Sequence, residues 1–334
     1  MSHADLHAHY LAPSVLEAIR RGDLAPYIRL IDTPEGMRIA YPGSVTRVVG
    51  DRMVGLEHRI AHLDELGFEV QVLSPWIDTF GYELPEDVAV RYHTLLNEGM
   101  AAAMDAYPDR FRFLASAPLP YPHATRSVLD HAVRHLGAVG SMIGTNVNGR
   151  NLDIPELEAL WETSTGLGVP VELHPVNVVE TDRLDHDQLD NFLGNPFDTT
   201  IAAASLIFGG VLDRHPRLSV ILLHGGGYLP YAVGRMTHGR IARGVAPMLL
   251  RNPIDYLDRF LYDTVVYDEQ TLQSLARIVG KERLLLGTDY PFDMEPDEPV
   301  AGVERWLGAD ALSTIDATAA RLTGAPRRTD ASKR

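Results

Sequence analysis

Two histidines stand one residue apart near the start of the sequence, in the segment DLHAH. Side chains alternate between the two faces of a strand, so His7 and His9 of one strand would point the same way. Two imidazoles on one wall can chelate one cation. The chain has 14 histidines, however, and an isolated pair of this kind is more often two core or surface side chains. Polar residues at other strand ends decide between these interpretations.

Three further side chains directly follow apolar runs: His174 after VPVEL, His224 after SVILL and Asp289 after LLLGT. These are rim positions, where barrel enzymes gather their catalytic groups. Singly, His174 could cap a strand, His224 could be a core histidine and Asp289 could be a helix N-cap. Their coincidence instead indicates a shared site. Imidazoles together with a carboxylate suit Zn²⁺, or another divalent ion such as Mn²⁺, Co²⁺ or Fe²⁺.

Composition narrows the function classes. The 334-residue chain has no cysteine, which excludes disulfides, thiolate-bound zinc and cysteine nucleophiles, so His, Asp or Glu must hold any metal. A net charge of −15 argues against nucleic acid and anionic membranes as partners. Neither a signal peptide nor a membrane span is predicted, which leaves the cytoplasm as the expected location.

Eight short apolar runs, separated mostly by helical periodicity, predict parallel strands alternating with helices. The runs are Ala4–Ala8, Glu69–Ser74, Phe111–Ser116, Val139–Gly144, Val169–Leu173, Ser219–Leu223, Phe260–Val266 and Leu284–Thr288. Eight such strands most simply close into a (β/α)8 TIM barrel. We expect one domain over residues 1–325, with a hairpin insertion at about 11–50, a polar loop at 177–196 on the catalytic face, and a tail at 326–334.

The segments DLHAH, VELHP, ILLHGGG and LLLGTDYPF resemble the amidohydrolase superfamily, specifically amidohydrolase family 2. Within it the chain is most similar to the 2-amino-3-carboxymuconate-6-semialdehyde decarboxylase group, which includes hydroxybenzoate decarboxylases and some C–C hydrolases. The resemblance spans nearly the whole chain, and HGGG with PYAVGRMTHG downstream is its most specific part. HGGG lacks the features of a P-loop or a dinucleotide fingerprint, so no organic cofactor is expected.

The resemblance implies a divalent metal, usually zinc, with four ligands: His7, His9, His174 and Asp289. It makes His224 an acid/base beside the metal, and Asp289 could also accept a proton. Arg47 and Arg235 would grip substrate carboxylates, with Arg235 reaching the neighbouring subunit's site, which implies a homodimer. From the residues alone, Arg47 could equally be a solvated hairpin charge and Arg235 a helix-surface ion-pair partner.

Two segments set expectations for the pocket. We expect Phe292, directly after the Asp289 motif, to contact the substrate. Val176 stands where the decarboxylase group has an aromatic residue, and PFDMEP replaces the usual continuation after Asp289. These departures predict a different substrate with the metal chemistry kept.

The sequence therefore predicts a metal-dependent non-oxidative decarboxylase of a small unsaturated or aromatic carboxylic acid, active in aromatic-compound catabolism. Its mechanism would add a proton from His224 at the carbon that bears the carboxylate. The same site could instead hydrolyse a C–C, lactone or amide bond. A non-catalytic metal-binding or sensory barrel is the alternative from another class, and it would not need His224.

Overall fold

A computed structural model of the chain describes residues 3–179 and 181–324. In these ranges the strands are β1 (Ala4–Tyr10), β2 (Arg29–Thr33), β3 (Gly36–Tyr41), β4 (Ser44–Val45), β5 (Val70–Pro75), β6 (Phe111–Ala115), β7 (Gly140–Gly144), β8 (Val171–His174), β9 (Val220–Leu222), β10 (Phe260–Asp263) and β11 (Leu284–Leu285). β1 and β5 to β11 form one parallel sheet in chain order. The Leu6 amide donates to the Leu286 carbonyl at 2.9 Å, so the last strand meets the first.

Helices alternate with these strands. They are α1 (Pro13–Arg21), α2 (Asp51–Val54), α3 (Leu56–Leu66), α4 (Glu86–Ala106), α5 (Pro122–Arg134), α6 (Glu158–Leu167), α7 (Thr181–Leu184), α8 (Asn195–Phe208), α9 (Val211–Arg214), α10 (Leu229–Arg243), α11 (Glu269–Val279), α12 (Pro299–Leu307) and α13 (Ala309–Thr323). The predicted (β/α)8 barrel is confirmed. Its strands are buried on both faces, which explains why they read as continuous apolar runs.

The insertion after β1 is a small antiparallel sheet in the order β2-β3-β4. The expected hairpin is its β3–β4 part, which turns at Pro42 and Gly43, and Gly43 has a φ of +85° that glycine tolerates without strain. β2 adds a strand that the sequence did not predict. The insertion leads Arg47 back toward the carboxyl ends of the barrel strands.

The segment predicted as a polar loop, 177–196, is partly helical, which corrects that expectation. It contains α7, a π-helix at Asp190–Gly194 and the start of α8. Asp182 in the first turn of α7 and Arg183 in its last turn both complement the helix dipole. Both residues are exposed, so an apolar pattern could not have marked this helix.

A buried histidine with no metal-site role lies on α4. The ring of His93 is fully buried, and its Nδ1 hydrogen-bonds with the Ser116 hydroxyl at 2.7 Å. Burial lowers its pKa to about 3. The unfolded chain has a histidine pKa near 6.5, so between these values the unfolded state binds more protons and the folded state loses stability as the pH falls.

We therefore expect the wild-type free energy of unfolding to fall between pH 7 and pH 5 by about 2 kcal/mol more than that of His93→Gln. Denaturant titration at both pH values measures this difference. His131→Gln on α5 is the matched control, because the His131 ring is exposed, and it should lose as much as the wild type. Equal losses in all three proteins would contradict the prediction.

Among the described helices, none combines the length and apolar character that crossing a bilayer requires. The expected tail, 326–334, lies outside the described residues. The boundaries of the single domain and the cytoplasmic location stay predictions.

Candidate metal centre

β1 supplies two of the site's imidazoles. Its pairing with β5 shifts register between Asp5 and Ala8, an irregularity of the kind that re-aims side chains near active sites. The rings of His7 and His9 are fully buried, and each Nε2 atom lies 3.2 Å from Oδ1 of Asp289. The two side chains therefore share one face of β1, as their spacing predicts.

His174, the last residue of β8, brings a third imidazole, with its Nε2 4.0 Å from the same Asp289 oxygen. Donor atoms of four residues lie within 4.8 Å of one another: His7, His9, His174 and Asp289. All four residues are buried. The structure thus brings together the full ligand set that the resemblance implies, and this group could hold a metal ion.

The outer nitrogens of the three imidazoles test how well a metal would fit. Each Nδ1 lies within hydrogen-bond distance of an acceptor outside the cluster: His7 of Asp263 Oδ2 at 2.7 Å, His9 of the Pro75 carbonyl at 3.0 Å and His174 of the Pro175 carbonyl at 2.9 Å. When Nδ1 donates outward, Nε2 presents its lone pair inward. Nε2 of His174 is buried and has no hydrogen-bond partner among the described residues. This arrangement of donors and outer partners is the one that metal-binding histidines adopt.

Charges in the cluster favour a cation. Burial raises the pKa of Asp289, but the neighbouring imidazoles outweigh it, His7 first, and hold the pKa well below its ordinary value. Burial lowers the pKa of His7, but the carboxylates of Asp289 and Asp263 outweigh it and raise the pKa well above its ordinary value. Burial lowers the pKa of His174 to about 3, so this ring stays neutral and able to bind a metal. The centre therefore attracts positive charge, either a proton or a metal ion.

Asp263, at the end of β10, is a candidate functional residue that sequence reasoning missed. It is fully buried, and its Oδ1 accepts the Gly225 amide at 2.7 Å and the Val265 amide at 3.3 Å while Oδ2 holds His7. The bond to Val265 turns the chain, so β10 ends at Asp263 instead of continuing to Val266 as predicted. One carboxylate thus orients a candidate ligand and fixes the loop that carries His224.

His224 follows β9 in a short 3-10 turn. Its side chain is 12% exposed, and its Nε2 lies 3.8 Å from Oδ2 of Asp289, the oxygen that the other imidazoles leave free. A Cβ atom at Gly225 would lie 2.4 Å from Val266 Cγ1, and one at Gly227 would lie 2.0 Å from the Pro196 carbonyl oxygen. These glycines therefore permit the close backbone approach that the HGGG segment predicts.

Two carboxyl groups lie in the barrel beneath the cluster. Burial raises the pKa of Asp5 to about 6, and burial raises the pKa of Glu172 to about 8. Asp5 accepts hydrogen bonds from Gln71 and Thr288, and Ser74 donates to Glu172. Glu172 is therefore mostly protonated at neutral pH and adds little negative charge to the centre.

The predicted substrate-binding residues divide into two groups. The Phe292 ring lies 5.2 Å from the His9 ring, and the Arg47 guanidinium lies 4.6 Å above Phe292. Arg47 also makes a two-pronged ion pair with Asp78, at 2.7 and 3.1 Å. Arg235 is instead exposed on α10. Arg47 and Phe292 therefore reach the site within the chain, whereas Arg235 points to the surface.

Two cavities lie beside the candidate metal centre, and Val176 lines one of them. A cavity of 500 Å³ beside Arg47 is lined by Val176, Asn177 and Asn148 among others. A separate cavity of 290 Å³ borders His224 and Asp289. A polar cavity therefore lies on the Arg47 side, and a mainly apolar cavity reaches Asp289 on the His224 side.

The chain is similar to known proteins along nearly its whole length. The family model described as amidohydrolase matches residues 4–323. A 2-amino-3-carboxymuconate-6-semialdehyde decarboxylase of Dictyostelium discoideum is 34% identical over 327 residues, covering 93% of this chain and 90% of the relative. A gamma-resorcylate decarboxylase of Rhizobium radiobacter is 27% identical over 301 residues, covering 86% of this chain and 90% of the relative. A solved 2,6-dihydroxybenzoate decarboxylase complexed with 2,6-dihydroxybenzoate superposes with a TM-score of 0.76 at 25% identity, covering 97% of this chain and 99% of that one.

Proposed function

The chain belongs to the amidohydrolase family, and on that premise we propose that it is a metal-dependent decarboxylase of small unsaturated or aromatic carboxylic acids. The observation that carries the proposal is the convergence of three inward-facing imidazoles, one carboxylate and His224 at the carboxyl ends of the barrel strands. We propose His7, His9, His174 and Asp289 as the ligands. Zn²⁺ suits this donor set, and Mn²⁺, Co²⁺ or Fe²⁺ could occupy it.

A divalent ion held there would polarise a substrate oxygen and stabilise the negative charge that develops during the reaction. His224 delivers a proton to the carbon that carries the carboxylate. The C–C bond to the carboxylate then breaks, its electron pair returns to the unsaturated system, and CO₂ leaves. Asp289 Oδ2 lies 3.8 Å from His224 Nε2, so the proposed proton donor stands beside the proposed ligands.

Arg47 and Phe292 are proposed to hold the substrate. Phe292 packs on His9 and offers a ring face, while Arg47 can form a bidentate pair with a carboxylate. Because Arg47 is already paired with Asp78, a substrate anion must share or displace that partner. This pairing also keeps the guanidinium positioned above Phe292.

We propose a homodimer in which Arg235 enters the partner's site. Support comes from the exposed apolar side chains on and just beyond α10: Tyr231, Ile241, Val245, Met248 and Leu250. Apolar side chains grouped on a surface mark interaction sites. An exposed arginine beside such a patch is suitably placed to cross an interface.

Subunit mixing tests the shared site. Arg235→Ala and His224→Ala proteins, each impaired alone, should regain roughly a quarter of wild-type turnover after co-refolding, because half of the dimers are mixed and each has one intact site. Turnover is followed as CO₂ release. If the co-refolded mixture is no more active than the two separate variants, each site is complete within one chain.

Product analysis tests the reaction itself. We expect the Zn²⁺- or Mn²⁺-loaded protein to remove CO₂ from at least one acid in a panel of aminomuconate-like, hydroxybenzoate and ring-fission acids, seen by mass spectrometry as a loss of 44 Da, about the mass of CO₂. A gain of water by the substrate would instead identify the hydrolase that the same ligand set permits. No reaction with any acid, at full metal occupancy, would contradict both.

A further inference from the structure

The 290 Å³ cavity beside His224 and Asp289 has mainly apolar walls. It extends from these two residues toward the outer face of α11. The apolar side chains along it are Phe192, Tyr228, Val266, Leu275, Ile278 and Met294. We refer to the part of the cavity formed by Val266, Leu275 and Ile278 as the apolar arm. It is a recess with no role in the chemistry proposed above.

The loop after β9 and the start of α11 build the apolar arm. A Cβ atom at Gly225 would lie 2.4 Å from Val266 and 3.4 Å from Leu275, so the HGGG loop packs directly against this wall. Leu275 is 5% exposed, whereas Ile278, one helical turn further out, is 45% exposed. The arm therefore runs from the buried centre to a partly open outer end.

Polar and apolar contacts lie on different sides of the centre. Arg47, Asp78 and Asn148 line the cavity on the far side, where a carboxylate or hydroxyl finds partners. The cavity that contains the apolar arm has no arginine or lysine in its lining, and its polar side chains away from His224 and Asp289, such as Asn191, Asn195 and Thr271, are uncharged. A charged group at the buried end of the arm, against Leu275, would lose hydrogen bonds with water, whereas a hydrocarbon group would gain by leaving water.

We infer that the apolar arm holds a hydrocarbon substituent of the substrate, so that the preferred substrates are hydroxybenzoates carrying an alkyl chain of about three to five carbons. The inference rests on the proposed decarboxylase function and adds the substrate class to it. Size supports the chain length: an apolar cavity of about 150 Å³ is enough to hold benzene, and this cavity is nearly twice as large. A ring beside His224 leaves room for such a chain.

The first measurement compares kcat/KM for 2-hydroxybenzoates carrying hydrogen, methyl, propyl or pentyl at carbon 4, and for a parallel series at carbon 6. Each methylene buried in the arm should raise kcat/KM by roughly fourfold, so the propyl compound of one series should exceed its methyl compound by at least about tenfold. Decarboxylation with no dependence on chain length in either series would overturn the inference and leave the decarboxylase function intact.

Variants of the wall locate the effect. Leu275→Phe fills the arm and should bring the propyl-to-methyl ratio of kcat/KM down toward one. Ile278→Phe does the same from the exposed end, where folding tolerates the larger ring. Leu275→Ala lengthens the arm and should move the optimum to a longer chain. Leu272→Ala is the matched control, because Leu272 is buried on the same helix outside the cavity, and it should keep the wild-type ratio.

Equilibrium binding separates this inference from the reaction. The corresponding 3-alkylphenols, which have no carboxylate to lose, should bind more tightly as the chain lengthens, by a similar roughly fourfold step per methylene, and Leu275→Phe should remove the trend. This outcome without CO₂ release from any acid would support the apolar arm and contradict the decarboxylase function. Alkylphenol affinity that is independent of chain length would contradict the apolar arm directly.

Discussion

Removal of the divalent ion is expected to abolish CO₂ release, and adding Zn²⁺ or Mn²⁺ back is expected to restore it. Three imidazoles and Asp289 concentrate their donor atoms within 4.8 Å at the barrel rim, and a proton on this cluster would not supply the double charge with which a divalent ion polarises a substrate oxygen. Dialysis against a chelator, with metal content measured beside CO₂ release, tests this. Full turnover by metal-free protein would contradict the proposed mechanism.

Replacing Asp263, the hydrogen-bond partner of His7, is expected to weaken metal binding without abolishing it. Asp263→Asn removes the carboxylate that accepts from His7 Nδ1 at 2.7 Å, and losing such a partner typically weakens metal binding by about 10- to 100-fold. Competition with a fluorescent chelator measures that affinity. Asp130→Asn on α5 is the matched control, because it removes a carboxylate from an exposed ion pair with Arg134 and should leave metal affinity unchanged. Equal affinities in both variants would show that Asp263 does not support the ligands.

The barrel could be predicted from sequence because its strands repeat one simple pattern. A parallel strand covered by helices has two buried faces, so each strand is an apolar run bounded by turn residues. β2 was missed for the opposite reason. Its RLIDT sequence is partly exposed and alternates poorly, and it is a strand because the backbone of β3 lies beside it, with Arg29 opposite Ala40. Such pairing depends on tertiary contacts and leaves little trace in the local sequence.

The metal centre could also be predicted, since His7 and His9 alternate along β1, His174 ends β8 and Asp289 follows the apolar run LLLGT. Asp263 carries the same signal, because it interrupts the run FLYDTVV, but it was included in a strand predicted to reach Val266. A charged residue inside a buried strand should have marked it as a functional candidate.

The partner of Arg47 could not be found in this way. Asp78 lies 31 residues further along the chain, on another element, and only the fold brings it within 2.7 Å of the guanidinium. Sequence motifs identify residues that can do chemistry at a strand end. They do not show which charges are already paired, and that pairing decides what Arg47 must release to bind a substrate.

Replacing His224 by glutamine is expected to lower kcat by about 10²- to 10⁴-fold while the metal content stays at the wild-type level. Glutamine keeps a polar side chain of similar length but has no group that titrates near neutral pH, so it cannot deliver the proton. His224 is outside the proposed ligand set, and its Nε2 is 3.8 Å from Asp289 Oδ2, so the four donors should remain in place. Steady-state kinetics and metal analysis on the same preparations measure both effects.

A buried histidine elsewhere distinguishes this role from a general loss of stability. His215 is 8% exposed and pairs with Glu158 at 2.7 Å, away from the centre, so His215→Gln should keep kcat within a few fold of wild type.

In D₂O the wild-type product should carry deuterium at the carbon that lost CO₂, because the proton comes from a group that exchanges with solvent. A His224→Gln protein with full metal content and wild-type kcat would remove His224 from the reaction. The proton donor would then have to be sought among Asp289 and solvent.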